Sequence, residues 1–70
     1  MKVIVHFNKP QYEYINNTTK KPISAQIVSG VELIVNTKDQ LIIDVDNGSS
    51  IIYEQKIVSG IVIKKENKNE

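Results

Sequence analysis

Residues 40–54, QLIIDVDNGSSIIYE, hold two apolar runs separated by Asp46-Asn47-Gly48. Asn and Gly favour a tight hairpin turn because both tolerate positive φ. A two-residue loop would pair Leu41 with Glu54 and so mix apolar and charged side chains on one face. A three-residue loop with Gly48 in the left-handed conformation pairs like with like: Leu41 with Tyr53, Ile42 with Ile52 and Ile43 with Ile51. Because a hairpin keeps its apolar residues together, the pattern predicts the three-residue loop.

Alternation of apolar and polar residues continues on both sides of this hairpin and predicts strands over 2–7, 11–15, 23–28, 31–36 and 57–63. Asn8-Lys9-Pro10 would join the first two as an N-terminal hairpin, because Pro10 cannot donate a ladder hydrogen bond. Residues 16–22, NNTTKKP, predict an exposed loop. In the two central strands the alternating sets are Ile23, Ala25 and Ile27 against Ser24, Gln26 and Val28, then Val31, Leu33 and Val35 on one face.

The tetrapeptide IVSG occurs at 27–30 and again at 57–60, and it puts a glycine inside each of two apolar runs. Such a glycine commonly marks a bulge or a corner where a strand bends across the core. We therefore expect corners at Gly30 and Gly60 and a turn at Gly48. A hairpin turn at Ser29-Gly30 is the alternative. A four-residue recurrence is unsurprising in so biased a composition and does not establish a duplication.

A chain of 70 residues forms a single domain with a small core. Ile, Val and Thr make up about a third of the sequence, while Leu occurs twice and Ala once, a bias typical of sheets and not of helices. We predict one all-β domain over residues 1–65, followed by a flexible polar tail at 66–70. Its expected form is a small antiparallel barrel or sandwich of six to seven short strands, SH3-like or OB-like in size.

The residue inventory argues against an enzyme. The chain has no Cys, and His6 is its one histidine, so we expect neither a disulfide nor a structural zinc site. No Gly-x-Ser-x-Gly motif surrounds any serine, and Asp44-Val45-Asp46-Asn47-Gly48 lacks the ligand spacing of an EF-hand. We predict no catalytic residues, no metal and no cofactor.

The charge, hydropathy and composition of the chain limit the classes of partner and of source organism that we expect. Nine Lys, with no Arg, against eight acidic residues give a net charge of +1, which is too small to attract a polyanion strongly. No apolar run approaches the roughly 18 residues of a membrane span, and we expect a soluble cytoplasmic protein. Ile, Asn and Lys, whose codons are AT-rich, make up 28 of the 70 residues, which predicts a low-GC bacterium or one of its phages.

The candidate binding residues are Tyr12 and Tyr14, on one face of a predicted strand, and Lys20 and Lys21 in the loop that follows. Aromatic and basic side chains on a small β-domain can stack single-stranded bases and neutralise their phosphates. The near-neutral charge and the lack of Arg argue against that use. Packing of the tyrosines at the edge of the core is the simpler alternative.

By elimination we expect a small non-catalytic protein-binding module, from a phage or other mobile element, that binds and modulates a larger host protein. A single-stranded nucleic-acid-binding β-barrel and a self-assembling structural subunit are the alternatives. Both faces of the 40–54 hairpin are apolar, and this predicts a homodimer. One face carries Ile42 and Ile52, and the other carries Leu41, Ile43, Ile51 and Tyr53.

Overall fold

The β-branched runs form six strands in the computed structural model, which describes residues 1–65. They are β1 (Lys2–Tyr14), β2 (Lys20–Val28), β3 (Val31–Asn36), β4 (Gln40–Val45), β5 (Ser50–Glu54) and β6 (Val58–Lys64). A single 3-10 turn, Gln55–Ile57, precedes β6. Within this described part of the chain, no helix is long and apolar enough to cross a membrane.

The strands form two three-stranded antiparallel sheets. Sheet A has the order β2-β1-β6, and sheet B has the order β3-β4-β5. The chain passes from A to B between β2 and β3, and returns through the 3-10 turn. The all-β prediction is therefore confirmed, and the described strands do not close into a barrel. The predicted tail at 66–70 lies outside the described residues.

The 40–54 hairpin has the predicted register. Leu41 pairs with Tyr53, Ile42 with Ile52 and Ile43 with Ile51. The Val45 amide donates to the Ser49 carbonyl at 2.9 Å and closes a three-residue loop, in which Gly48 has a φ of 88°. The three-residue loop is confirmed.

The predicted N-terminal hairpin is wrong, because β1 runs without interruption from Lys2 to Tyr14. Pairing with β2 shifts register between His6 and Gln11. Pro10 lies inside this segment, where β1 and β2 are not paired residue by residue. Its lack of an N–H therefore costs no hydrogen bond between the strands. The exposed loop is also shorter than predicted, since β2 begins at Lys20 and includes Pro22.

The predicted face of β3 is wrong in part. Val31 and Leu33 pair with Val45 and Asp44, which are adjacent residues, so Glu32 is an extra residue in β3. This bulge turns Leu33 and Val35 outward, where both are exposed. Ile34 packs toward the core in their place. In β2, Val28 is buried and Ile27 is 63% exposed.

One hydrophobic core joins the two sheets. Its eight buried residues, four from each sheet, are Val3, Val5, Phe7, Val28, Val31, Leu41, Ile43 and Tyr53. The rings of Phe7 and Tyr53 meet across the sheets with centroids 5.8 Å apart and a tilt of 51°. The Tyr53 hydroxyl donates to Oε1 of Gln26, so a polar contact also crosses from sheet B to sheet A.

The two IVSG glycines have different roles. Gly30, at the crossing between the sheets, has a φ of 68°, and its carbonyl accepts the Asp46 amide at 2.9 Å. A Cβ on Gly30 would lie 2.9 Å from Oδ2 of Asp46. Gly60 lies within β6, beside a register shift in which Ser59 is the extra residue. A Cβ on Gly60 would meet no atom within 4 Å.

We predict a graded response to Gly→Ala substitution. Gly30→Ala should lower the free energy of unfolding by about 1–2 kcal/mol, because alanine is strained at positive φ and the exposed Asp46 carboxylate must also move away from the new Cβ. Gly48→Ala should cost about 1 kcal/mol through positive φ alone. Gly60→Ala should be neutral or stabilise by about 0.4–1 kcal/mol, since it restricts the unfolded chain. Urea denaturation of the three variants measures the order, and equal losses at Gly30 and Gly60 would contradict it.

Candidate binding surface

A two-stranded arm extends past the last pair between β1 and β6. That pair is Phe7 with Val58, whereas β1 continues to Tyr14 and pairs there with the start of β2. We call residues 8–14 and 20–23 the arm, with residues 15–19 as its tip. At the tip, Oδ1 of Asn16 accepts the amides of Thr18 and Thr19 at 2.9 and 2.8 Å. This local turn determines where the two strands meet.

The arm brings together three of the four predicted binding residues. Tyr12 and Tyr14 are two residues apart in β1, and Lys20 lies directly opposite Tyr14, so all three share one face. The Lys20 ammonium lies 4.5 Å from the centre of the Tyr12 ring, which is a cation–π contact. Lys21 is opposite Glu13 and therefore belongs to the other face. Tyr12 and Tyr14 are 58% and 72% exposed.

An open groove of about 240 Å³ lies between the arm and the edge of the core. The buried rings of Phe7 and Tyr53 contribute to it from the two sheets. Ile23, Ile57 and Tyr12 add apolar surface, and Gln11, Gln26 and Glu13 add polar groups. We call this the arm groove. Ligand sites commonly combine apolar walls with a few polar groups in this way.

Two hydrogen bonds fix the position of the 3-10 turn that contributes Ile57 to the groove. The Asn8 side-chain amide donates to the Lys56 carbonyl at 2.6 Å and so joins the base of the arm to the 3-10 turn. The Gln55 side-chain amide donates to the Thr37 carbonyl at 2.9 Å, which anchors that turn to sheet B. Ile57 is thereby placed opposite the arm.

The arm groove was not predicted from the sequence. The sequence predicts the pairing of Tyr53 with Leu41, but the groove forms only where β1 leaves β6 and shifts its register with β2. Its residues come from two distant parts of the sequence: β1 and β2 near the start, and β5 with the 3-10 turn much later. The interruption at Asn8-Lys9-Pro10 was the one local signal of the irregularity.

A larger depression of about 610 Å³ lies at the β3–β4 turn, next to the 3-10 turn. Its residues are polar or charged, and they include Lys38, Asp39, Glu54 and Lys56. Glu54 and Lys56 form an ion pair of 3.1 Å, and both side chains are mostly exposed. Exposed ion pairs contribute little and select no particular ligand. The arm groove, with its apolar walls, is the better candidate site.

His6 lies on the outer face of sheet A, opposite Ala25 and Gly60. Among residues 1–65, no group of three or more His, Cys, Asp or Glu is placed to hold a metal ion.

Comparisons with known proteins found no match: no family model, no curated protein sequence and no solved structure resembles this chain.

Burial gives Tyr53 a testable pH signature. Desolvation raises the pKa of its hydroxyl above the ordinary value of 10.0, because the charged phenolate is disfavoured in the core. The folded state thus holds this proton more tightly than the unfolded state does. The resulting stability is fully present below pH 10 and is lost as the pH rises through the folded pKa.

We therefore predict that Tyr53→Phe is less stable than the wild type at neutral pH by about 0.5–1.5 kcal/mol, since it loses the hydrogen bond to Gln26. The difference should shrink above about pH 10, where ionisation of Tyr53 destabilises the wild type alone. Urea midpoints of both proteins across this pH range test the prediction. A difference that stays constant with pH would contradict it.

Proposed function

We propose that the chain is an open two-sheet sandwich that serves as a non-catalytic protein-binding module. The observation that carries this proposal is the arm groove, an uncovered cavity with the Phe7–Tyr53 pair at its base. Its volume of about 240 Å³ is below the roughly 300–1,000 Å³ of small-molecule sites. It suits one large apolar side chain of a partner protein.

The charges around the groove favour a protein occupant over a nucleic acid. Among the described residues that line it, the one charged group is the Glu13 carboxylate. Its cross-strand partner Lys21 lies beside it on the same face and balances its charge, so the groove offers a phosphate no net positive charge. A partner segment with an apolar anchor and a neighbouring basic residue fits both the walls and Glu13. Exposed Tyr12, which also lines the groove, would extend the contact along the arm, as aromatic residues commonly do in interfaces.

Nucleic-acid binding is the second candidate because Tyr12, Tyr14 and Lys20 share one face. The Lys20 ammonium already lies over the Tyr12 ring, so a base would have to displace it before stacking there. Lys21 is directed away from this face. The amino-acid composition predicts a bacterial or phage origin. That origin and the modulation of a larger host protein remain predictions.

A matched pair of tryptophan variants tests the groove as the binding site. Peptides are selected from a random display library on the wild-type chain, and their affinities are then measured for Gln11→Trp and Tyr14→Trp. Gln11 lines the groove and is half-buried, so Trp there should fill it and weaken binding by about tenfold or more. Tyr14 lies outside the groove lining, and Tyr14→Trp should leave the affinity within about threefold.

Selected peptides should share a large apolar residue with a basic neighbour. Equal losses in the two tryptophan variants would move the site from the groove to the exposed arm face. Failure to select any such peptide from a diverse library would count against the protein-binding proposal.

We also predict no appreciable binding to random single-stranded oligonucleotides at physiological salt. The net charge is +1, and the arm lysines are divided between two faces, so few phosphates could be neutralised at once. Fluorescence anisotropy of a labelled random oligonucleotide measures this. Submicromolar binding that Tyr14→Ala abolishes would make the Tyr12–Tyr14–Lys20 face a nucleic-acid site and displace the leading proposal.

A further inference from the structure

Sheet A carries an apolar row on the face directed away from the core. Ile4 of the central strand pairs with Ile27 on one side and Val62 on the other. Ile27 and Val62 are 63% and 41% exposed. We call these three residues row A. It crosses all three strands of the sheet.

Sheet B carries an equivalent row on its own outer face. Ile42 of the central strand pairs with Val35 and Ile52, which are 38% and 57% exposed. We call these three residues row B. The bulge at Glu32 adds exposed Leu33 beside the row. Contiguous apolar surface of this kind on a small domain commonly marks an interaction site.

The residues next to the two rows have opposite charges. Lys2 pairs with Lys64 across β1 and β6. Each lies two residues along its strand from a member of row A, and therefore on the same face of the sheet. Asp44, which pairs with Leu33 and Ser50, lies one step from row B. The Ser50 hydroxyl donates to Oδ1 of Asp44 at 2.6 Å and orients the carboxylate.

We propose that row A of one copy of the chain packs against row B of a second copy, with Lys2 and Lys64 beside Asp44. Packing unlike faces buries apolar rows of similar width and brings opposite charges together. Packing like faces with their strands aligned would instead oppose Lys to Lys or Asp to Asp. The contact is heterologous. An assembly of any size therefore keeps an unused row A at one end and an unused row B at the other, and it grows beyond a dimer.

This self-association goes beyond the proposed binding function and uses different residues. Each face has only three short strands, so a contact buries less than the roughly 1,600 Å² of a standard interface. We therefore expect weak association that develops as the concentration rises into the submillimolar range. Sedimentation of the wild type should show an average mass that climbs steadily above the 7.9 kDa of one chain.

The decisive experiment blocks one row at a time with a single type of substitution. Ile27→Lys blocks row A, Ile52→Lys blocks row B, and Ile15→Lys is the control at the exposed arm tip. Each blocked variant alone should remain at the mass of one chain, because its one usable row has no complementary row to meet. An equimolar mixture of the two blocked variants should form a 1:1 complex. The control should associate like the wild type.

Circular dichroism checks that each variant keeps its fold, and Val62→Lys or Leu33→Lys replaces any that does not. Wild-type chain that stays at 7.9 kDa at every concentration would overturn the proposal. So would a blocked variant that still dimerises alone, because that result requires packing between like faces. A mixture that forms no 1:1 complex would overturn it as well.

Discussion

Packing of sheet A against sheet B is the constraint on which the rest of the structure depends. Each sheet supplies four of the eight buried residues, and each such side chain contributes about 1.5–3 kcal/mol by leaving water. Without the other sheet, each three-stranded sheet would leave its apolar inner face in water and lose the stabilisation that burial of that face provides. The stability of the fold therefore depends on the two short crossings between the sheets, at Gly30 and at Gln55–Ile57. Hydrogen bonds from Asp46 and from Gln55 to main-chain carbonyls hold each crossing in place.

The 40–54 hairpin could be predicted from the sequence down to its register, because two adjacent strands and a short loop contain all the information needed. A single slip would have paired Leu41 with Glu54. The arm could not be predicted in this way. Asn8-Lys9-Pro10 is typical of a turn when read alone, but β1 pairs with β2 on both sides of it, at His6 and at Gln11, and the strand continues. The bulge at Glu32 is a similar case, since alternation reports a face only while the register holds.

The candidate site was predictable to the same limited extent. Tyr12, Tyr14 and Lys20 are close in sequence and lie on one face of the arm, whereas Lys21 alternates to the other face. Phe7 and Tyr53, which form the base of the arm groove, are separated by most of the chain. Alternation within a strand indicates which residues share a face, but it cannot show that β1 leaves β6 beside these two rings. The position of the groove depends on where β6 begins relative to β1, which is a property of the tertiary structure.

The β-branched composition also explains why the outer faces are apolar. Ile and Val occupy successive positions in β1, β4, β5 and β6, so both faces of each sheet receive them, and the core covers only one. Rows A and B consist of apolar residues on the outer faces, which the core does not cover. The arm lies beyond the start of β6, apart from both rows, and its groove is lined from the inner faces of the sheets. Copies that associate through their outer faces would therefore keep their grooves accessible. Several weak grooves in one assembly would bind a repetitive partner far more tightly than one groove does, because the effective concentration of each further site is high.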